Sequence, residues 1–143
     1  MAMSEQQREQ LRAMRAAMDE SVKAAAEKGA AAVNEVSALV RAWKPAAYAV
    51  GDVRFFGGAP YKCVQAHDST QNSAWTPAAA PALWMQYHGT TQSMARAWVA
   101  PTGAQDMYLA GEWMIYTDGV TYECLSDTTY SPTDYAAAWR AAE

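Results

Sequence analysis

Cysteine and histidine are scarce in this sequence, with two of each among 143 residues. Cys63 and Cys124 have no second cysteine near them in the chain, so we expect two buried free thiols that pack like small apolar side chains. His67 and His88 have no cysteine or carboxylate at metal-ligand spacing, and no zinc site is predicted. No serine, histidine and acid arrangement has a recognisable context, and no glycine-rich loop precedes a helix. We therefore expect no catalytic residue, no metal and no cofactor.

Long apolar runs and a secretory signal are also missing. Nothing approaches the roughly 20 apolar residues of a membrane span. The first residues lead into a charged run without an apolar region or a cleavage site, which predicts a protein that stays in a cytosol unless something other than Sec export carries it out. The net charge is +1 up to Lys44 and −5 after it. An acidic C-terminal region argues against nucleic acid as a partner.

Proline is absent from residues 4–42, and glycine occurs there once. The stretch is rich in alanine, glutamate, glutamine, arginine and methionine, which are strong helix formers. Ser4 and Gln7 have the spacing of a capping box, and Pro45 ends the pattern. The sequence predicts one helix of about 39 residues, roughly 58 Å long, which exceeds an ordinary globular helix.

Apolar residues in this arm recur at spacings of four and three, the pattern of a heptad seam in a coiled coil. The seam is thin around Gly29, where the side chains supply little volume. We expect the arm to self-associate, as a trimer by analogy with viral fibres. A lone helix folded back on the rest of the chain and a tail docked on another protein are the alternatives. The predicted seam consists of Leu11, Met14, Met18, Val22, Ala25, Ala32, Val36 and Leu39.

The remainder of the chain contains one pattern twice, from Trp43 to Trp84 and from Trp98 to Trp139. Each copy opens with Trp and a nearby Pro, followed by Tyr-x-x-Gly-acid, an apolar run, a glycine turn and Tyr-x-Cys-aliphatic. Each copy closes on aromatic-x-Pro with a Trp further along. An internal repeat of this kind predicts two small units of about 40 to 50 residues.

Short apolar runs separated by Gly, Pro, Asp, Ser and Thr predict small β structure in both copies. Gly57-Gly58 joins two strands in the first copy. Asp118-Gly119 does the same in the second, and Asp-Gly is a strong hairpin signal. The expected strands, with a closing strand or turn in the first copy, are 53–56, 61–65, 81–87, 112–116 and 120–125.

Several motifs in this order carry a family resemblance. They are Tyr48-x-x-Gly51-Asp52, Tyr61-x-Cys63, Trp75-x-Pro77 and Leu83-Trp84 in the first copy, and Tyr108-x-x-Gly111, Tyr122, Tyr130-Ser131-Pro132 and Trp139 in the second. Together the copies cover about two thirds of the chain. They resemble the small chitin-binding-type carbohydrate-binding modules of families 5 and 12, in tandem, as found in bacteriophage structural proteins. The resemblance implies compact three-stranded antiparallel modules with an aromatic core and no catalytic activity.

The predicted fold class is α+β, with a long N-terminal coiled-coil helix followed by two small three-stranded antiparallel modules. Residues 1–43 form the oligomerisation or anchoring arm in this division. Residues 44–88 form the first module, 89–97 a linker, and 98–143 the second module.

The resemblance also directs attention to exposed rings. Chitin-binding members carry an exposed aromatic pair shortly after the Tyr of Tyr-x-Cys, whereas Gln65-Ala66 and Ser126-Asp127 stand at those places here. Stacking on a sugar would therefore use other rings in or next to loops, for each of which core packing is the alternative. The candidate glycan-binding residues are Trp75, Tyr87, Tyr130 and Tyr135. The residues expected to pack in the cores are Trp43, Trp84, Trp98 and Trp139.

These features predict a non-enzymatic bacteriophage virion protein, such as a head fibre, a decoration protein or a tail adhesin, assembled in the host cytoplasm. Its arm would bind copies of itself or other virion proteins. Its two modules would attach weakly and multivalently to host-surface polysaccharide. The alternatives are a chitin- or peptidoglycan-binding protein outside any virion, a structural or protein-docking subunit that binds no sugar, and a regulatory subunit with a dimerisation arm.

Overall fold

The structure is a computed structural model that describes residues 2–143. Helix α1 spans Glu5–Lys28 and helix α2 spans Ala30–Glu35. A 3-10 turn over Ser37–Leu39 follows, and the remaining regular structure is β-strand with short 3-10 turns. The α+β class and the long N-terminal helix are confirmed.

Helix α1 begins as the sequence predicts. The Gln7 backbone N–H donates to Ser4 Oγ at 3.1 Å, and the Ser4 N–H donates to Gln7 Oε1 at 2.9 Å, which completes the capping box. The helix ends at Lys28 because Gly29 has φ 118° and ψ −171°, a conformation that is essentially restricted to glycine. The predicted single helix over 4–42 is therefore wrong beyond Lys28.

The chain after Gly29 turns back along α1. Arg41 donates through Nε and Nη2 to the Asp19 carboxylate at 3.0 and 2.8 Å, and Arg15 Nη2 donates to the Leu39 carbonyl at 3.0 Å. These bonds join residues 22 and 24 positions apart, so the segment 30–41 runs antiparallel to α1. The second half of the arm thus takes the folded-back alternative.

The folded-back arm shares a core with the β structure. Val22 and Ala25 of α1 are buried together with Val33 of α2, and Val53 and Tyr87 close the cluster from the β side. Part of the predicted seam is therefore used inside one chain. Its other members are the half-buried Met18, Ala32, Val36 and Leu39, and the exposed Leu11 and Met14.

The first β segment, defined here as residues 42–88, contains five strands: β1 Ala47–Tyr48, β2 Val53–Phe56, β3 Ala59–Cys63, β4 His67–Asp68 and β5 Trp84–Gln86. Strands β2, β3 and β5 form the predicted three-stranded antiparallel sheet. Strands β1 and β4 form a separate two-stranded ribbon. The long loop between β4 and β5 lies over this ribbon through contacts described below.

The second β segment, defined as residues 96–143, contains four strands: β6 Arg96–Ala97, β7 Trp113–Ile115, β8 Thr121–Cys124 and β9 Trp139–Ala141. They form one sheet in the order β6-β7-β8-β9, in which β6 is parallel to β7. The prediction of three strands is wrong here. Part of the stretch predicted as linker, 89–97, pairs with β7. Arg96 and Ala97 form β6, and the Gly89 carbonyl accepts a bond from Trp113 N–H at 2.8 Å.

The same backbone hydrogen bonds recur at corresponding positions of the two segments. The N–H of Gly51 donates to the Cys63 carbonyl at 2.9 Å, and that of Gly111 donates to the Cys124 carbonyl at 2.8 Å. These two glycines have φ of 97° and 93°, so the turn needs a residue that tolerates positive φ. The backbone therefore follows the same path at this one turn of each segment.

Each segment has a small aromatic core. Trp84 lies edge-on to Tyr48 with ring centroids 5.0 Å apart, and Trp139 lies edge-on to Tyr108 at 5.3 Å. All four of these rings are buried. Trp43 and Trp98 pack against the same clusters as half-buried rings. The sequence prediction that these tryptophans are core residues is confirmed.

A buried polar junction connects the arm, the connecting residues and the second segment. His88 Nδ1 lies 2.7 Å from Glu112 Oε1, with both side chains less than a tenth exposed, and the His88 ring stacks on Tyr108 at 3.7 Å. Asn34 donates to the His88 carbonyl at 3.0 Å and accepts a bond from Arg96 Nη2 at 2.8 Å. The predicted linker 89–97 is thus held at His88, which precedes it, and at Arg96 within it.

Candidate functional site

The loop between β4 and β5 presents Trp75 to solvent, with 41% of its surface exposed. Its start is fixed by the fully buried Ser69, whose N–H and Oγ both donate to the Ala46 carbonyl at 2.9 and 3.0 Å. A turn at Asn72 follows, in which the Asn72 carbonyl accepts from Trp75 N–H at 3.2 Å and its side chain accepts from Ala74 N–H at 3.2 Å. The ring is therefore exposed on a well-anchored loop.

His67 packs beneath this loop. Its ring lies 6.5 Å from that of Trp75, 5.6 Å from that of Trp84 and 5.8 Å from that of Tyr48. His67 Nδ1 lies 2.8 Å from the Gln65 carbonyl, and because a carbonyl oxygen only accepts, Nδ1 is the donor of this bond. His67 thus connects the exposed Trp75 to the buried core and braces the loop.

The corresponding loop of the second segment presents two tyrosines. Tyr130 is 59% exposed and Tyr135 is 49% exposed. The Tyr130 carbonyl accepts a bond from the Trp139 indole N–H at 3.0 Å, and Tyr116 OH lies 3.1 Å from Thr133 Oγ1. The buried tryptophan and the sheet therefore hold this loop in place.

Tyr87, the fourth ring proposed from the sequence, is not available to a ligand. It is 5% exposed and packs in the cluster that includes Val33 and Val53. Burial raises the pKa of its phenol. The sequence predicts that Tyr87 lies at the end of a strand, next to a loop. It does not predict its burial, because the arm that covers Tyr87 folds back through tertiary contacts.

The positions of the expected aromatic pair are exposed but carry no ring. Gln65 and Ala66 are exposed in the first segment, as are Ser126 and Asp127 in the second. The Asp127 carboxylate accepts a bond from the Ala110 N–H at 2.9 Å and so supports a turn. Stacking at these places is excluded, which leaves the loop rings as the candidates.

A groove of about 570 Å³ lies between α1 and the first segment, and it does not contain these rings. Its walls are mixed in charge, with Lys23 and Glu27 from α1 facing Arg54 and Lys62 from the sheet. No aromatic side chain lines it among the described residues. A sugar face would find nothing there to stack on.

Asp52 and Glu112 occupy equivalent positions and have turn-forming roles. Asp52 Oδ2 accepts from Ala49 N–H at 2.8 Å, and Glu112 Oε1 accepts from Leu109 N–H at 2.9 Å. Each carboxylate therefore caps the turn that precedes its sheet. Across residues 2–143, no group of three His, Cys, Asp or Glu side chains is placed to hold a metal, and no helix is long and apolar enough to cross a membrane.

The two thiols are buried under their sheets. Cys63 and Cys124 are free, at 0% and 1% exposure. Burial raises the pKa of Cys63, and it raises the pKa of Cys124 to about 11. At neutral pH both thiols are protonated, which removes the thiolate that nucleophilic chemistry would need.

Comparison with known proteins gives two similarities. Residues 42–85 match the sequence profile of carbohydrate-binding module family 5/12. A stretch of 40 residues is 52% identical to streptogrisin-C of Streptomyces griseus; it covers 28% of this chain and 8% of that protein. The chain thus matches less than a tenth of this relative's length. The profile match supports a carbohydrate-binding module in the first β segment and a glycan as its partner, and Trp75 is the most exposed ring within the matched range.

Proposed function

We propose that this chain is a non-catalytic glycan-binding protein whose first β segment stacks a sugar ring on Trp75. The observation that carries the proposal is the exposed indole on an anchored loop inside the range that matches the carbohydrate-binding family. The apolar face of a pyranose packs on an indole as another flat ring does. Because the loop is already held by Ser69 and Asn72, little conformational entropy is lost on binding.

The second β segment acts as a second module in this proposal. Its support is the recurrence of the Gly51 and Gly111 hydrogen bonds and of the edge-on Trp–Tyr pairs. Tyr130 stands where Trp75 stands in the first segment, because each ring lies nine residues before the closing Trp of its copy. A tyrosine offers a smaller stacking surface than a tryptophan, so this site is the weaker for an uncharged sugar.

Self-association through the arm would multiply these weak sites. Leu11 and Met14 lie on the first part of α1, where every residue from 5 to 14 is exposed. Linked sites gain roughly 10²–10⁴ in avidity without any new contact. We propose an oligomer, as a trimer, in which the N-terminal half of α1 is the interface. Light scattering checks this, and a monomer at micromolar concentration would contradict it.

The biological setting that we propose is a bacteriophage virion. Its support is the resemblance of the repeated motifs to modules of phage structural proteins, together with an arm suited to assembly or to anchoring on other virion proteins. A head fibre, a decoration protein and a tail adhesin all fit these features. Mass spectrometry of purified particles tests the setting: the chain should be present in stoichiometric amounts, and its absence would contradict a virion role while leaving glycan binding untouched.

Glycan binding is tested with the full chain and the variant Trp75→Ala. Retention on insoluble chitin and on isolated bacterial cell walls should fall by at least about tenfold, because a central stacking tryptophan carries a large share of binding energy. Trp75→Phe should keep part of the binding. Val50→Ala is the matched control, since Val50 is an apolar side chain in the same segment with 64% exposure. Equal retention of Trp75→Ala and wild type would contradict the proposal and favour a protein-docking subunit.

A further inference from the structure

The loop of the second segment places a carboxylate between its two exposed tyrosines. The N–H groups of Asp134 and Tyr135 donate to the Ser131 carbonyl at 3.1 and 2.8 Å, and Asp134 N–H also lies 3.1 Å from Ser131 Oγ. Ser131 is buried and fixes this turn. Tyr130 and Tyr135 therefore stand at the two ends of one short turn, with Asp134 exposed beside Tyr135.

The Asp134 carboxylate is not used by the fold. Within residues 2–143 it has no hydrogen-bonding or ion-pair partner; the turn is held by the backbone of Asp134 and by the Tyr116–Thr133 contact. The only basic residue of 98–143 is Arg140, which pairs with Glu123. A carboxylate with no cation of its own, in a turn flanked by two exposed tyrosines, is suited to an incoming cation.

The first segment differs in this respect. Its corresponding turn, Trp75 to Ala80, contains no charged residue. Residues 44–88 carry three Lys or Arg and two Asp, a net charge of 3 − 2 = +1. Residues 96–143 carry two Arg and seven Asp or Glu, a net charge of 2 − 7 = −5. The two segments therefore present different electrostatic environments to a glycan.

The negative charge of the second segment determines which chemical class of sugar it favours. A polysaccharide with phosphate, sulfate or carboxylate groups is repelled by the second segment. A neutral acetylated sugar can stack there and donate hydroxyl hydrogen bonds, but it brings no positive charge to the carboxylate. A sugar that bears a free ammonium group gains a charge-assisted hydrogen bond to Asp134 and cation–π contact with the tyrosines.

We propose that the loop of Tyr130, Asp134 and Tyr135 binds glycans with free primary amines, which means deacetylated amino-sugar polymers. This inference rests on the proposed glycan-binding function and assigns the second segment a ligand class of its own. The two segments together would then recognise partly deacetylated amino-sugar chains, with acetylated residues on Trp75 and free amines on the second loop.

The test uses the full chain, beads of deacetylated chitin, and the same beads after chemical N-acetylation. Asp134→Asn should lower retention on the deacetylated beads by at least about tenfold in mildly acidic buffer, because a hydrogen bond to a charged group is lost. It should leave retention on the re-acetylated beads unchanged. Tyr130→Ala should lower retention on the deacetylated beads as well.

Glu143→Gln is the matched control, because it changes the net charge of the segment equally from outside the turn. Equal losses for Asp134→Asn and Glu143→Gln would overturn the site in favour of a bulk charge effect. No loss for Asp134→Asn would overturn it whatever Trp75→Ala shows. The two proposals fail separately: binding to acetylated beads reports on Trp75, and the Asp134→Asn effect on deacetylated beads reports on the second loop. Circular dichroism of each variant confirms that the fold is kept.

Discussion

At the scale of single residues, the tryptophans of the first segment divide by environment. Trp84 is 2% exposed and packs between Tyr48 and His67, whereas Trp75 is 41% exposed on its loop. Both lie in similar sequence contexts, close to proline and alanine. Their roles differ because only Trp84 lies in a strand and in the aromatic core. Replacement of Trp84 by alanine should therefore lower stability, and replacement of Trp75 should lower binding.

Trp84→Ala should lower the free energy of unfolding by about 3–5 kcal/mol, because truncation of a buried ring loses its burial and leaves a cavity. Trp75→Ala should change it by no more than about 0.5 kcal/mol, as surface substitutions do. Urea unfolding followed by tryptophan fluorescence and circular dichroism measures both. Equal destabilisation by the two variants would contradict the assignment of Trp84 to the core.

Cys124 predicts a loss of stability at alkaline pH. Its pKa is about 11 in the folded chain against an ordinary value of 9.0, because burial disfavours the thiolate. Below pH 9.0 both states keep the proton, so this group gives no pH dependence there. Between those two values the unfolded chain loses the proton and the folded chain keeps it, so the free energy of unfolding falls as pH rises. Cys124→Ala should make the fall in melting temperature over this range shallower than in wild type.

At the scale of elements, the structure shows which signals in the sequence were sufficient. Strand 53–56 was predicted with its observed bounds because alternation and a Gly57-Gly58 turn are local. The end of α1 at Gly29 was not predicted, because one glycine in a helix costs only about 1 kcal/mol and the helix propensity of the neighbouring residues favours continuation. Packing of Val33 against Val22 decides the turn, and such tertiary contact has no local signature.

The residues of the candidate site also divide into those that local sequence identifies and those that depend on tertiary contacts. Trp75, Tyr130 and Tyr135 could be found from the sequence because polar, proline-containing loops lie at the surface. The burial of Tyr87 could not, since it depends on the arm folding back over β5. Asp134 was not singled out, although the Ser131-Pro132 step signals a turn that sets the next residues at its rim. Its importance comes from the absence of a partner, which the sequence alone does not show.

Gly29→Ala should destabilise the turn between α1 and α2. No atom crowds the position, so the effect comes from the backbone: φ of 118° is unfavourable for any residue with a Cβ. Strain of this kind costs about 1–3 kcal/mol. Chemical denaturation measures the loss, and a variant with unchanged stability and more helical circular dichroism would show that the arm can straighten into one helix.

At the scale of the whole molecule, the junction at Asn34 makes one unit of the arm and both segments. Its side chain contacts the His88 carbonyl, at the end of the first segment, and the Arg96 guanidinium, at the start of the second. Burial lowers the pKa of Arg96, which still remains charged at neutral pH. A buried charge whose partner is removed is costly.

Asn34→Ala should therefore lower the free energy of unfolding by about 1–3 kcal/mol, the range for leaving a buried polar group unsatisfied. Asn72→Ala, at a turn in the Trp75 loop, is a control that removes an amide without touching the junction. Hydrogen exchange at His88 to Arg96 should rise in Asn34→Ala and stay unchanged in the control. Unchanged exchange in both would mean that the junction does not hold the connection in place.

The Asn34 junction also bears on the order in which the chain is completed during synthesis. Asn34 leaves the ribosome 62 residues before Arg96, which corresponds to roughly 3–12 s at ordinary elongation rates. Val33 can pack on Val22 and Ala25 as soon as it is made, but its contacts with the β side wait for Val53 and Tyr87. The N-terminal arm is thus translated first, but its contacts with the rest of the chain are completed last. We expect nascent chains that end before Tyr87 to expose more of the apolar side of α2 than the finished chain does, because Tyr87 is the last member of the Val33 cluster to be made.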